Sequence, residues 1–186
     1  MSLEELWQLF PIKLEQYDPR YAGWYEEQRQ ALVGTIDADD IARISHIGST
    51  AVPGLLAKPT VDILLELDAG CDIDALTARL LVDGWLLMSE EESPLHLAFN
   101  KGYTPKGFAE QVYHLHVRYH GDWDELYFRD YLREHAEAAA DYAQLKQVLL
   151  AQYEHDRDAY TEAKTDLIQK YTQLARIEYA DRYKPI

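Results

Sequence analysis

The 186-residue chain is long enough for one domain with a sizeable core, and 47% hydrophobic with 27% charged residues is ordinary globular composition. Its net charge of −15 argues against a broad nucleic-acid-binding surface, because such a surface would repel phosphate backbones. Residues 1–18 carry acidic side chains where a secretory signal peptide has Lys or Arg. No apolar run reaches the roughly 18 residues of a membrane span. Cys71 is the only cysteine. We therefore expect a cytoplasmic protein that binds neither extended nucleic acid nor a membrane.

The first half of the chain alternates helical and strand patterns. Helical spacing of apolar residues predicts a helix over residues 19–33, following irregular structure in residues 1–20, and Gly34 is typical of a helix end. Residues 41–47 predict a strand, and residues 60–67 predict a second, largely buried strand. In the second strand, alternation places Val61, Ile63 and Leu65 on one face. The other face carries Asp62, Leu64 and Glu66.

The second half begins with short elements and ends in helices. The pattern predicts, in order, a helix from Asp72 or Asp74 to Val82, strands at 85–88 and 95–100, a Gly/Pro loop at 101–109 and a strand at 111–120. The segment 123–179 contains no Gly or Pro and predicts two long helices that separate near 152–156. We expect one α/β (α+β) domain over residues 1–186, with a core at about 12–122 and a helical tail at about 123–180.

The stretch 46-HIGSTAVPGLLAKPTVDILLEL-67 carries the first candidate site. Gly48 permits a tight turn and leaves backbone N–H groups accessible to an anion, and Ser49 and Thr50 follow it. Asp62 could hold Mg²⁺ beside a bound phosphate, and Lys58 could neutralise that phosphate. The alternatives are an ordinary turn with an Asp bonded to nearby backbone, and a solvated loop lysine.

Two further groups could contribute. His114 and His116 share one strand face with Val112 and Arg118, so they could ligate a metal, or one could act as a general base. Arg129 and Arg133 are four residues apart and share a helix face that could contact phosphate. The alternatives are a histidine pair on a half-exposed strand and a solvated helix face.

The sequence resembles the GrpB family, also called UPF0157, over roughly residues 12–170. The resemblance is carried by HIGSTAVPGL-x-AKP-x-VDIL, by Tyr17-Asp18-Pro19 and Trp24, by HLHV at 114–117, by FRDYLR at 128–133, and by tail residues including Tyr142, Lys146, Tyr160 and Lys164. Membership implies a bacterial protein with a mixed-sheet, polymerase-β-like nucleotidyltransferase core and a helical tail covering part of a nucleotide cleft.

The resemblance also implies that Ser49 contacts a phosphate and that Asp62 binds a divalent metal. The remaining candidates follow from residue type and position. Gly48, Thr50, Lys58 and Arg129 would bind phosphate with Ser49, Glu66 or His116 would serve catalysis with Asp62, and His114 and His116 would hold the metal with Asp62. Mg²⁺ or Mn²⁺ suits the superfamily, with Zn²⁺ as an alternative. However, Leu64 stands where the superfamily has its second metal-binding carboxylate.

Three functions are open at this point. The first is nucleotidyl transfer from an NTP to an unidentified acceptor. The second is a nucleotide- or phospholigand-binding regulatory protein without catalysis, and the third is a His/Asp metal-dependent hydrolase. Tyrosines in the tail leave room for a homodimer.

Overall fold

The computed structural model describes residues 9–153 and 156–185, and within these residues it shows a mixed five-stranded sheet with helices packed on it. The strands are β1 (Ile41–Ile47), β2 (Val61–Leu67), β3 (Leu86–Glu92), β4 (Leu95–Thr104) and β5 (Gly107–Tyr119). The helices are α1 (Arg20–Thr35), α2 (Ile73–Val82), α3 (Asp124–Glu134), α4 (Ala136–Gln152), α5 (Arg157–Glu162) and α6 (Thr165–Tyr179). The α+β class is confirmed.

The strand order in the sheet is β1-β2-β5-β4-β3. The two central strands, β2 and β5, run parallel, and every other neighbouring pair is antiparallel. In the parallel pair Asp62 lies opposite His114, and Leu64 lies opposite His116. The edge strand β3 is exposed along its length except at Leu87, which is half-buried.

One sheet face carries the main core. Residues 61, 63, 65 and 67 of β2 and residues 113, 115 and 117 of β5 pack there with apolar side chains of α1 and α2, including Leu32 and Leu80. The other face carries Asp62, Leu64 and Glu66, where Leu64 packs with Ile47 of β1 and Leu126 of α3. The predicted division of the two β2 faces is confirmed.

The predicted loop at 101–109 is wrong, because β4 and β5 continue through it and meet in a tight hairpin. The Thr104 hydroxyl donates to the Gly107 carbonyl (2.8 Å) and accepts from the Lys106 N–H (3.1 Å). Gly102 has a φ of +90°, and a Cβ there would lie 2.2 Å from the Gln111 carbonyl oxygen. Gly and Pro therefore mark a bulge and a two-residue turn in this segment.

The predicted pair of tail helices is also wrong, since four helices occupy the described part of this segment. A break falls at His135, which adopts an extended conformation between α3 and α4. Its ring stacks on Tyr131 at 3.9 Å, so local side-chain contacts support the break without Gly or Pro. The predicted separation near 152–156 agrees with the end of α4 at Gln152, although residues 154 and 155 lie outside the described part of the chain.

The irregular structure predicted before residue 20 holds for residues 10–18, apart from a single bridge between Glu15 and Ala57. Residues 1–8 of that prediction lie outside the described residues. In the part of the chain that the structure describes, no helix combines the length and apolar character needed to cross a membrane.

A buried ion pair joins β1 to β2 on the second sheet face. The Glu66 side chain is fully buried and accepts from Arg43 at 2.5 and 2.8 Å. The Gly121 N–H donates to the same carboxylate (3.1 Å), and Arg43 donates to the Gly121 carbonyl (2.9 Å). This network fixes the segment that connects β5 to α3.

We expect Arg43→Met to lower the free energy of unfolding by about 3–5 kcal/mol, because it leaves the Glu66 carboxylate buried and unpaired. Urea unfolding followed by circular dichroism would measure the change. The matched control is Arg79→Met, which breaks the exposed pair with Asp37 and should cost less than about 1 kcal/mol. Adding Glu66→Leu to Arg43→Met should restore most of the loss. Equal stabilities for the two single variants would contradict this account.

Candidate functional site

The site begins at Gly48, which follows β1 with a φ of +72°. A Cβ built on this residue would lie 2.5 Å from Asp62 Oδ2, so only glycine allows the turn to approach that carboxylate so closely. Ser49 then starts a short 3₁₀ turn, Ser49–Ala51. The Gly-Ser turn and Asp62, separated by thirteen positions in sequence, are therefore in direct contact.

Asp62 is held by both histidines of β5. His114 Nδ1 lies 3.2 Å from Asp62 Oδ1, and His116 Nε2 lies 3.6 Å from the same oxygen. His114 Nε2 is 2.8 Å from the Tyr103 hydroxyl, so both nitrogens of that ring are engaged. Burial alone would raise the pKa of Asp62, but the contacts with His114 and His116 outweigh it and hold the pKa well below its usual range.

A cavity of about 310 Å³ opens on one side of this cluster, and we call it the lysine cavity. Its described lining includes Ser49, Asp62 and His114 together with Lys58, Lys146 and Lys164. Lys146, on α4, donates to Ser49 Oγ (2.9 Å) and to the Leu56 carbonyl oxygen. The cavity thus places three lysines around a single lining carboxylate.

Burial makes two of these lysines unusual. Desolvation, followed by the neighbouring charge of Lys164, lowers the pKa of Lys146 to about 7. Desolvation also lowers the pKa of Lys164, although the charge of Asp62 opposes that shift. Each ammonium lies over a tyrosine ring, Lys146 over Tyr142 at 4.5 Å and Lys164 over Tyr160 at 4.4 Å. Both amines therefore lie in surroundings where a bound anion would be strongly favoured.

A second cavity, of about 640 Å³, lies on the other side of Asp62, and we call it the aromatic cavity. It shares Gly48, Asp62 and Tyr142 with the lysine cavity. Trp123 and Phe128 contribute aromatic surface. Its arginines are already paired, Arg118 with Glu125 at 2.6 Å and Arg176 with Asp122 at 2.7 Å and Asp124 at 2.5 Å. Two paired arginines and the rings of Trp123 and Phe128 thus characterise the aromatic cavity.

Glu66, predicted as a catalytic residue, is not brought to the site. It lies four residues beyond Asp62 on β2, a separation of about 13 Å along a strand. Its carboxylate is bound by Arg43 and by the Gly121 N–H. It lines neither cavity, and its position fits a role in stability.

Thr50 and Arg129, predicted to bind phosphate, also lie elsewhere. The buried Thr50 hydroxyl donates to the Thr60 carbonyl (3.0 Å) and contacts His46 Nε2 (3.0 Å). Arg129 donates to Asp130 (2.8 Å), to the His46 carbonyl (3.1 Å) and to the Tyr183 hydroxyl (2.8 Å). Both side chains use their hydrogen-bonding groups to fix the turn and the base of α3.

The donor set does not fit a pair of magnesium ions. Asp62 contributes one carboxylate whose Oδ1 faces both imidazoles, and Leu64, at the second carboxylate position, is fully buried in apolar contacts. Two Mg²⁺ ions require several hard oxygen ligands. Within residues 9–153 and 156–185, no group of three or more His, Cys, Asp or Glu is arranged to hold a metal ion.

Residue patterns alone did not single out Lys146 and Lys164 as lining residues of a cavity, although both fall in segments that resemble the family. One signal was present in the helical pattern. Lys146 occupies the same stripe of α4 as Tyr142 and Leu149, all of them buried. A lysine in the apolar stripe of a helix is rarely buried without a specific partner.

Comparison with known proteins agrees with this architecture. The family model described as GrpB protein matches residues 11–174. A UPF0157 protein of Pseudomonas aeruginosa is 36% identical over 176 residues, covering 94% of this chain and 71% of that protein. One from Streptomyces coelicolor is 38% identical over 161 residues, covering 84% and 80%. The crystal structure of the conserved protein GrpB from Enterococcus faecalis is 29% identical with a TM-score of 0.78, covering 90% of this chain and 99% of that one. The chain belongs to the GrpB family.

Proposed function

We propose that this protein binds a small phosphorylated ligand, with the phosphate groups in the lysine cavity. The observation that carries the proposal is the local charge. In a chain with a net charge of −15, Lys58, Lys146 and Lys164 converge on a cavity whose described lining contains one carboxylate, Asp62. Positive charge concentrated in a concave, partly desolvated site favours a compact anion.

A nucleotide is the phosphorylated ligand that suits the two cavities best. The lysine cavity would take the phosphates, and the aromatic cavity would take the base. The shared walls at Gly48, Asp62 and Tyr142 allow one molecule to occupy both. The rings of Trp123 and Phe128 offer stacking surface of the kind that bases use, and Arg118 already lies over the Trp123 ring at 4.6 Å.

Nucleotidyl transfer is the second candidate, and the contact between the Gly48-Ser49 turn and Asp62 favours it. That contact joins the two groups to which the family resemblance assigns phosphate contact and metal binding, Ser49 in the turn and Asp62. The buried Leu64 and the imidazole partners of Asp62 count against a two-metal reaction. Ligand binding is therefore the function with the broader support, and transfer is a further step that needs its own test.

We expect isothermal titration calorimetry to detect binding of ATP, ADP and pyrophosphate without added metal. Lys164→Met should weaken each affinity by at least about tenfold, since a hydrogen bond to a charged group contributes about 1.5–3 kcal/mol. The matched control is Lys170→Met on α6, the helix that begins directly after Lys164; the Lys170 ammonium lies over Tyr171 and outside both cavities. Absence of binding for all three ligands would refute the proposal.

Nucleotidyl transfer can be tested with the same purified protein. Each radiolabelled NTP would be incubated with Mg²⁺ or Mn²⁺ and a panel of acceptors, and release of pyrophosphate measured. Turnover above that of Asp62→Asn supports transfer. Binding without turnover supports a ligand-binding protein.

We expect affinity for phosphate ligands to fall as pH rises from 7 to 9. The pKa of Lys146 is about 7, so its positive charge is present below that pH and lost above it. Phosphate is already mostly ionised at the start of this window, because its second pKa is about 6. The loss should approach about tenfold per pH unit. Calorimetry at several pH values would measure it, and Lys146→Arg should flatten the profile. A wild-type affinity that stays constant or rises with pH would contradict the assignment.

A further inference from the structure

Ser49 and Lys146 form a close pair at the wall of the lysine cavity. Ser49 Oγ lies 2.9 Å from Lys146 Nζ, within hydrogen-bonding distance, although 97 positions separate the two residues. A third group orients the amine, since Lys146 also donates to the Leu56 carbonyl oxygen. Lys146 is only 3% exposed, so its amine is fixed and shielded from water.

This arrangement has the features of an activated nucleophile. A serine hydroxyl is weakly nucleophilic until an adjacent base accepts its proton, and the base must in turn be held by another group. Lysine serves as that base in Ser–Lys pairs when its surroundings favour the neutral amine. The burial of Lys146 and the nearby charge of Lys164, which together lower the Lys146 pKa to about 7, supply such surroundings.

We propose that Ser49 is a nucleophile toward phosphorus and that Lys146 is its general base. The inference rests on the proposed binding of a phosphorylated ligand and names the ligand class as a phosphoanhydride. It assigns to Ser49 a covalent role, which differs from the phosphate contact expected from the family resemblance.

The step balances within the site. Ser49 Oγ attacks a phosphorus atom of the phosphoanhydride, forming an Oγ–P bond, and the bridging P–O bond breaks. The Oγ proton passes to Lys146 Nζ, and the leaving phosphate or pyrophosphate departs with the electron pair of the broken bond. Lys146 can then return a proton to the leaving group. Lys58 and Lys164 line the same cavity and would stabilise negative charge on the phosphoryl oxygens.

The position of Ser49 suits this role. Gly48 allows the chain to turn with a positive φ, and Ser49, the next residue, lines the lysine cavity. Thr50, the next hydroxyl, is buried and bonded to the Thr60 carbonyl and His46, so it cannot substitute. Tyr142, the other hydroxyl beside Ser49, has its pKa raised by desolvation and is therefore a poor nucleophile at neutral pH.

The test uses diisopropyl fluorophosphate, a neutral phosphorus electrophile that needs no cationic cavity for binding. Intact-mass measurement should show one adduct, and peptide mapping should place it on Ser49. The labelling rate should rise with pH to a plateau, with a midpoint near 7, because the neutral form of Lys146 is the reactive one. This direction is opposite to the pH dependence expected for ligand affinity.

Three variants distinguish a general-base role of Lys146 from a purely structural one. Ser49→Ala should abolish the adduct. Lys146→Arg keeps the charge but cannot accept the proton, and it should slow labelling by about a hundredfold or more. Lys170→Arg, outside both cavities, should label at the wild-type rate. No adduct in the wild type, an adduct on another residue, or wild-type labelling of Lys146→Arg would each overturn the proposal.

A second measurement covers the case in which Lys146→Arg fails to fold. In Ser49→Cys, transfer of the thiol proton to the neutral Lys146 amine should form thiolate at pH values below the usual thiol pKa of about 8.5 and so lower the apparent thiol pKa. Iodoacetamide alkylation against pH would report this shift, and adding Lys146→Met should remove it. Identical profiles for the two proteins would overturn the proposal. Nucleotide binding without labelling would overturn the Ser49 assignment alone, and labelling without nucleotide binding would overturn the proposed function alone.

Discussion

The parallel pairing of β2 with β5 is the constraint on which the rest of the site depends. Its register sets Asp62 opposite His114 and Leu64 opposite His116. A shift of one residue in either strand would turn the apolar set of side chains away from α1 and α2, at a large cost in buried surface. The packing of the main core on one face therefore fixes the positions of the polar groups on the other.

The helical tail supplies several of the side chains that line the lysine cavity. α4 supplies Tyr142 and Lys146, and Lys164 directly precedes α6, so three residues distant in sequence from the Gly48-Ser49 turn line the same cavity as that turn. Arg176 anchors α6 through Asp122 and Asp124, beside the start of α3. Lysines on rigid elements can be held in a desolvated position that a mobile loop could not maintain. The tail is thus part of the site as well as a cover for the sheet.

Sequence reasoning located much of the fold and one side of the site. Alternation in β2 and β5 predicted both strand faces, because burial on one face imposes a period of two. Spacing alone favoured a pairing of Arg129 with its neighbour Asp130, which the structure shows, but it gave no sign that the Thr50 hydroxyl bonds a carbonyl from another segment. Lys146 was missed because a helical pattern treats lysine as solvated, and only the fold shows that its stripe turns inward. The break at His135 was missed because stacking on Tyr131, rather than Gly or Pro, supports it.

The exposed edge strand β3 has a consequence for the growth of the sheet. Its outer half consists of Glu90, Glu91 and Glu92, all exposed. If the β3 strand of another molecule paired with this edge in parallel and in register, the three glutamates of the two copies would face each other across the new ladder. Repulsion between like charges opposes that pairing, and natural sheets commonly protect an open edge with charged side chains. These glutamates therefore disfavour the addition of a further strand at the β3 edge of the sheet.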